Sequence, residues 1–141
     1  MSIDDNKALA RRYVDEVLNK QNLDLVDQIY APNCVVRDPS TPDATEGTSG
    51  VKQFISSYLS AFPDNQYAID EIIGEGDLIA ARWSVRGTHK GQLGNIAATG
   101  KQMGVTGMSF WRIENGKIAE EWLNWDALGL MQQLGVVPSD S

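Results

Sequence analysis

Hydrophobic residues recur at three- and four-residue spacing through the first part of the chain and at alternate positions later on. Leu9, Ala10, Tyr13, Val14, Val17 and Leu18 mark one face of a helix, and Ser2 with Asp5 three residues on reads as its start. Leu25, Val26, Ile29 and Tyr30 share the face of a second, shorter helix that Asn22 can cap and Pro32 ends. Val51, Phe54, Ile55, Tyr58, Leu59 and Phe62 form the stripe of a third helix, capped by Thr48 or Ser49 and stopped before Pro63. Between the last two, Cys34-Val35-Val36-Arg37 reads as a short strand, followed by Asp38-Pro39 and a polar loop through Thr45.

From Tyr67 the period changes to two. Tyr67 to Ile73 and Leu78 to Val85 read as strands joined by the turn Gly74-Glu75-Gly76-Asp77, and the glycine-rich stretch from His89 to Gly100 reads as a loop. Asn115-Gly116 then separates two alternating runs, and that dipeptide suits the left-handed dihedrals of a two-residue hairpin turn. Leu128 to Leu134 gives the last helical turns.

If the hairpin contains no bulge, opposed residue numbers sum to 231 and the faces follow from alternation. Val105, Gly107, Ser109, Trp111, Ile118, Glu120, Trp122, Asn124 and Asp126 then share one face, which mixes indoles with polar groups as a ligand pocket does. Thr106, Met108, Phe110, Leu123 and Trp125 share the other.

This order of elements predicts a single α+β domain over residues 1–141, with three N-terminal helices packed on a strongly curved, mostly antiparallel sheet to enclose a cone. The outer sheet face, with Met108, Phe110, Leu123 and Trp125, would be an apolar patch that a homodimer covers.

A net charge of −7 with no basic stripe argues against nucleic acid or anionic lipid as partner, since phosphate recognition rests on Lys and Arg. Cys34 is the sole cysteine, which excludes an intramolecular disulfide and a cysteine metal cage. No secretory signal or apolar run of membrane length is visible, so a cytoplasmic location is the expectation.

The chain from Arg82 onward carries a recognisable set of motifs: Arg82-Trp83, Gly87-Thr88-His89, Thr99-Gly100-Lys101, Phe110-Trp111-Arg112, Gly116-Lys117-Ile118, Glu121-Trp122, Trp125-Asp126-Ala127-Leu128-Gly129-Leu130 and Gln133-Leu134-Gly135. In these the chain resembles the SnoaL-like polyketide cyclases, also called the ester cyclase family, which have the nuclear-transport-factor-2-like cone fold. The resemblance implies an enzyme without metal or organic cofactor, in which an Asp near the end of the last strand is the acid/base of an intramolecular aldol ring closure. Asp126 stands at that position. Relatives often place His before the Asp-Pro pair, where this chain has Arg37 before Asp38.

A carboxylate in an apolar pocket suits such chemistry, because desolvation raises its pKa toward neutrality. Asp126 equally suits the cap of the last helix. Asn124 and Ser109 can hydrogen-bond a developing oxyanion, Trp111 and Trp122 can stack on a hydrophobic or polycyclic ligand, and Tyr58 can turn its hydroxyl into the cavity. His89, the only histidine, is either a substrate-facing proton carrier or a plain loop residue. Arg37 and Asp38 at the pocket mouth read as substrate contacts, where Arg37 would favour an acidic substrate group or pair with Asp38. Glu120 and Glu121 read as solvated or paired charges.

Other readings are a SnoaL-like hydroxylase of polyketides, a non-catalytic binder of hydrophobic small molecules, and a dimerisation module with a filled cone. Epoxide hydrolysis is disfavoured, because the Arg-x-Asp spacing of the related limonene epoxide hydrolases meets Ser84 after Arg82.

Overall fold

The computed structural model describes residues 2–138. Helix α1 spans Ile3–Arg12 and runs on as a π-helical stretch over Tyr13–Asn19. Ser2 and Asp5 close a capping box, with Ser2 Oγ accepting from Asp5 N at 3.0 Å and Asp5 Oδ2 from Ser2 N at 3.2 Å. The wider turns that follow bury Tyr13, Val14, Val17 and Leu18 together.

A 3₁₀ turn at Leu23–Leu25 leads into α2, Val26–Ile29, but the Asn22 side chain caps neither. The chain becomes extended at Tyr30, so Pro32 lies inside strand β1, Tyr30–Arg37, instead of ending the helix. The ladder of β1 is irregular between Tyr30 and Val35, where a residue without an N–H is tolerated. Strand β2 is Thr45–Glu46, and Gly47 takes φ 76° to enter α3, Gly47–Ala61. No side chain caps α3, so the expected roles of Thr48 and Ser49 are not realised.

Four long strands follow: β3 Gln66–Glu75, β4 Leu78–Thr88, β5 Gln102–Glu114 and β6 Lys117–Trp125. Helix α4, Ala127–Gln133, comes last. The sheet has the order β2-β1-β6-β5-β4-β3, with β1 and β6 parallel and every other pair antiparallel. Its inner face buries Ile79, Ala81, Trp111, Ile113 and Ile118 against Val14 and Val17 of the first helix and Val51 and Ile55 of α3. At the other end of β5, Met103 and Val105 pack with Phe62 and with Leu130 of α4. The architecture is an α+β cone. Among the described residues, no helix is long and apolar enough to cross a membrane.

Asn115 and Gly116 turn the last hairpin with φ of 52° and 74°. Paired numbers sum to 231 at Ile113–Ile118 but to 232 from Arg112–Glu120 onward, because Ala119 is an extra residue on β6. A one-residue slip exchanges the two faces of a strand. From that point β6 turns Glu121, Leu123 and Trp125 inward and Glu120, Trp122 and Asn124 outward, which corrects the faces read from the unbulged register.

Candidate functional site

Two adjoining lobes make up the cavity of the cone, each of about 70 Å³. Phe54 and Tyr58 from α3, Tyr67 from β3, Trp83 from β4 and Leu123 from β6 belong to both and form the waist between them.

The inner lobe is lined by Tyr13, Ser109, Trp111 and Glu121. Glu121 is 4% exposed, and the Tyr30 hydroxyl donates to its Oε1 at 2.5 Å. Burial pushes the carboxyl up to about 7, although the Tyr30 bond and the nearby Trp111 indole favour its charged form; Asp38 adds a smaller upward push. The Trp111 N–H has no partner of good hydrogen-bond geometry within the protein. Ser109 Oγ accepts from Trp83 Nε1 at 3.0 Å, which leaves the hydroxyl's own proton to donate. Burial first, and Glu121 second, hold the Tyr13 phenol well above its ordinary value, so it stays protonated. A carboxyl that can carry or lack a proton near neutrality therefore faces a small space with two donors beside it.

The outer lobe is lined mainly by apolar groups, among them Phe62, Val85, Met103 and Leu130, with Asn65 at its wall. Trp125 is held in place by its Nε1–H, which donates to Asp38 Oδ2 at 2.9 Å, and its ring meets Tyr58 edge-on at 5.9 Å. Gly107 makes room for this packing, because a Cβ there would strike the Trp83 ring and Trp125 Cβ.

The model of the SnoaL-like polyketide cyclases matches residues 8–134. The chain belongs to this family. Its structure is similar to that of AclR, a proposed hydroxylase from Streptomyces galilaeus, with a TM-score of 0.88 at 26% identity over 99% of this chain and 87% of that one. A proposed polyketide cyclase from Acidithiobacillus ferrooxidans gives 0.84 at 28% identity over 96% and 99%. A proposed SnoaL-like polyketide cyclase from Jannaschia sp. CCS1 gives 0.89 at 20% identity over 98% of each chain, a likeness of fold. No curated protein shows a significant match to the chain.

Within this SnoaL-like cone, Ser109, Trp111 and Tyr58 come together in the cavity wall, whereas the other sequence candidates lie elsewhere. Trp122 and Asn124 face outward because of the Ala119 bulge. Asp126 is exposed and caps α4, its Oδ1 accepting from Gly129 N at 2.9 Å; it borders an outer groove with Asn124 and Met108. Arg37 pairs with Glu120 and lies over the Trp122 ring at 5.8 Å, so it meets neither Asp38 nor the cavity. Asp38 is buried, its Oδ1 taking the Ser40 N–H at 2.8 Å and the Ser40 hydroxyl at 2.7 Å, and it acts on the cavity through Trp125.

His89 is fully buried, its ring 5.2 Å from that of Phe62. Its Nδ1 accepts from Thr99 N at 3.2 Å, and it is not among the groups lining either lobe. Among the described residues, no group of three His, Cys, Asp or Glu side chains could hold a metal ion.

Glu121 was missed by reading the sequence as a ladder without a bulge. One signal could have found it: Glu121 shares parity with the large apolar Leu123 and Trp125, so burying that pair brings the carboxyl in.

Proposed function

We propose that the chain is a cytoplasmic, cofactor-independent enzyme of the cyclase or isomerase type, which moves a proton on a carbonyl-bearing substrate with Glu121 as acid/base. The observation that carries this reading is the buried Glu121 carboxyl, raised to about 7, in a cavity wall with the Ser109 and Trp111 donors.

As carboxylate, Glu121 takes a proton from carbon next to a carbonyl. The enolate oxygen accepts from the Ser109 hydroxyl and the Trp111 N–H, in surroundings where such bonds are strengthened by exclusion of water. Attack of the enolate carbon on a second carbonyl of the same molecule closes a ring, and the Glu121 carboxylic acid returns its proton to the new alkoxide. In an isomerisation the proton returns to a different carbon. Lobes of about 70 Å³ fall well below the roughly 300–1,000 Å³ of pockets for drug-sized ligands, which favours a substrate of one or two rings over a polycyclic one.

Solvent deuterium exchange at the methyl group of acetophenone, followed by proton resonance, tests the assignment without knowledge of the natural substrate. Glu121→Gln is expected to lower the protein-catalysed rate by about 10²-fold or more, and Asp126→Asn to leave it within a few-fold. The reverse pattern would return the acid/base role to Asp126 and overturn the reading.

The likeness to AclR favours a second reading, hydroxylation. The two separate on whether product oxygen comes from labelled dioxygen. A protein that only binds hydrophobic molecules would keep ligand affinity and show no exchange.

A further inference from the structure

Proton transfer at the inner lobe leaves the Asn65 amide of the outer lobe unused. Asn65 is 2% exposed, lines the outer lobe, and its Oδ1 has no hydrogen-bond partner within the protein. Its backbone is fixed on both sides: the N–H donates to Phe62 O at 3.1 Å and the carbonyl accepts from Gln66 Nε2 at 3.0 Å. The amide packs against Gly87 of β4, where any Cβ would collide with Oδ1. Room is therefore kept for an amide whose acceptor is spent on nothing in the fold. A buried acceptor without a partner is costly, and an apolar side chain of similar shape would fill the site at less cost.

We propose that Asn65 orients the ligand, accepting a hydrogen bond from a hydroxyl at the end remote from Glu121. This rests on the reading of the inner lobe as the reaction site. The body of a ligand held in this way crosses the waist, where Phe54, Tyr58, Tyr67 and Trp83 offer ring faces and edges. Its carbonyl end meets Ser109, Trp111 and Glu121, and its hydroxyl end meets Asn65. The spacing of two polar poles across an apolar waist then selects the length of the substrate as well as its direction.

Binding of two matched pairs of probes tests this, read by quenching of the cavity tryptophans Trp83, Trp111 and Trp125. The pairs are acetophenone with 4-hydroxyacetophenone, and 2-acetylnaphthalene with 6-hydroxy-2-acetylnaphthalene. Wild-type protein is expected to bind the hydroxylated member of at least one pair about tenfold more tightly, the scale of one net hydrogen bond. Asn65→Leu is expected to abolish that preference. Glu121→Gln is expected to retain it while losing deuterium exchange.

A preference that survives Asn65→Leu overturns the inference, as does equal binding of both members of each pair, or binding of neither. If Glu121→Gln exchanges like wild type while the Asn65 preference stands, the anchor holds and the reaction assignment falls. Should Asn65→Leu fail to fold, the side-chain amide resonances of Asn65 in wild-type protein give the same answer. They shift with the preferred hydroxylated probe and not with its parent, and their failure to shift overturns the proposal.

Discussion

Ionising Glu121 inside the cone costs free energy that ionising it in the unfolded chain does not, and this penalty fixes a pH dependence. Its pKa is raised on folding from 4.5 to about 7, so the unfolded state holds fewer protons across that interval. The contribution of a neutral Glu121 is fully present below pH 4.5 and is lost as pH rises through about 7, above which the loss is complete. The corresponding free energy is about 3 kcal/mol, from roughly 1.4 kcal/mol per pKa unit. Glu121→Gln keeps an acceptor for the Tyr30 hydroxyl and has no charge to bury. Urea unfolding at several pH values is expected to show the wild type weakening relative to Glu121→Gln between pH 4.5 and 7, with parallel curves as the contradicting result.

At the scale of elements, legibility in the sequence followed the range of the interaction that decides each feature. The Ser2–Asp5 box, the Asn115-Gly116 turn and the Tyr13–Leu18 stripe depend on a few adjacent residues, and each could be read from them. The end of α2 could not, because Tyr30 turns into β1 to pair with Ile118 far along the chain, and Pro32 merely rides in an irregular part of that ladder. The Ala119 bulge was invisible for the same reason: alternation reports parity along one strand but not the offset between two. One added residue therefore moved Trp122 and Asn124 out of the cone, brought Glu121 into it, and left Ser109 and Trp111, on the unbulged strand, where alternation had put them. Asn65 offered no pattern at all. It lies between α3 and β3, and its amide packs against Gly87 of β4, a tertiary contact that no local pattern announces.

On the scale of the whole molecule, the same bulge changes the composition of the outer sheet surface. Leu123 and Trp125 leave it and Trp122 joins it, so that Met108, Phe110 and Trp122 stand 63%, 51% and 36% exposed on adjacent strands, with Phe110 and Trp122 directly paired. We propose that a second copy of the chain covers this patch, since clustered large apolar groups on an open sheet face mark an association surface. Light scattering on a sizing column is expected to give a dimer mass for the wild type and a monomer mass for the double variant Met108→Glu, Phe110→Glu with its far-ultraviolet dichroism unchanged. A wild-type monomer at about 100 µM would contradict the dimer and leave the cavity, on the opposite face, untouched.

Glu121 is expected to carry a proton near neutrality inside the cone. Side-chain carboxyl carbon shifts followed against pH, with the resonance assigned by its absence in Glu121→Gln, measure this at the one atom concerned. A midpoint near 7 is expected. A midpoint in the ordinary carboxylate range near 4.5 would mean a solvated or fully compensated charge, and would contradict the assignment of Glu121 as acid/base.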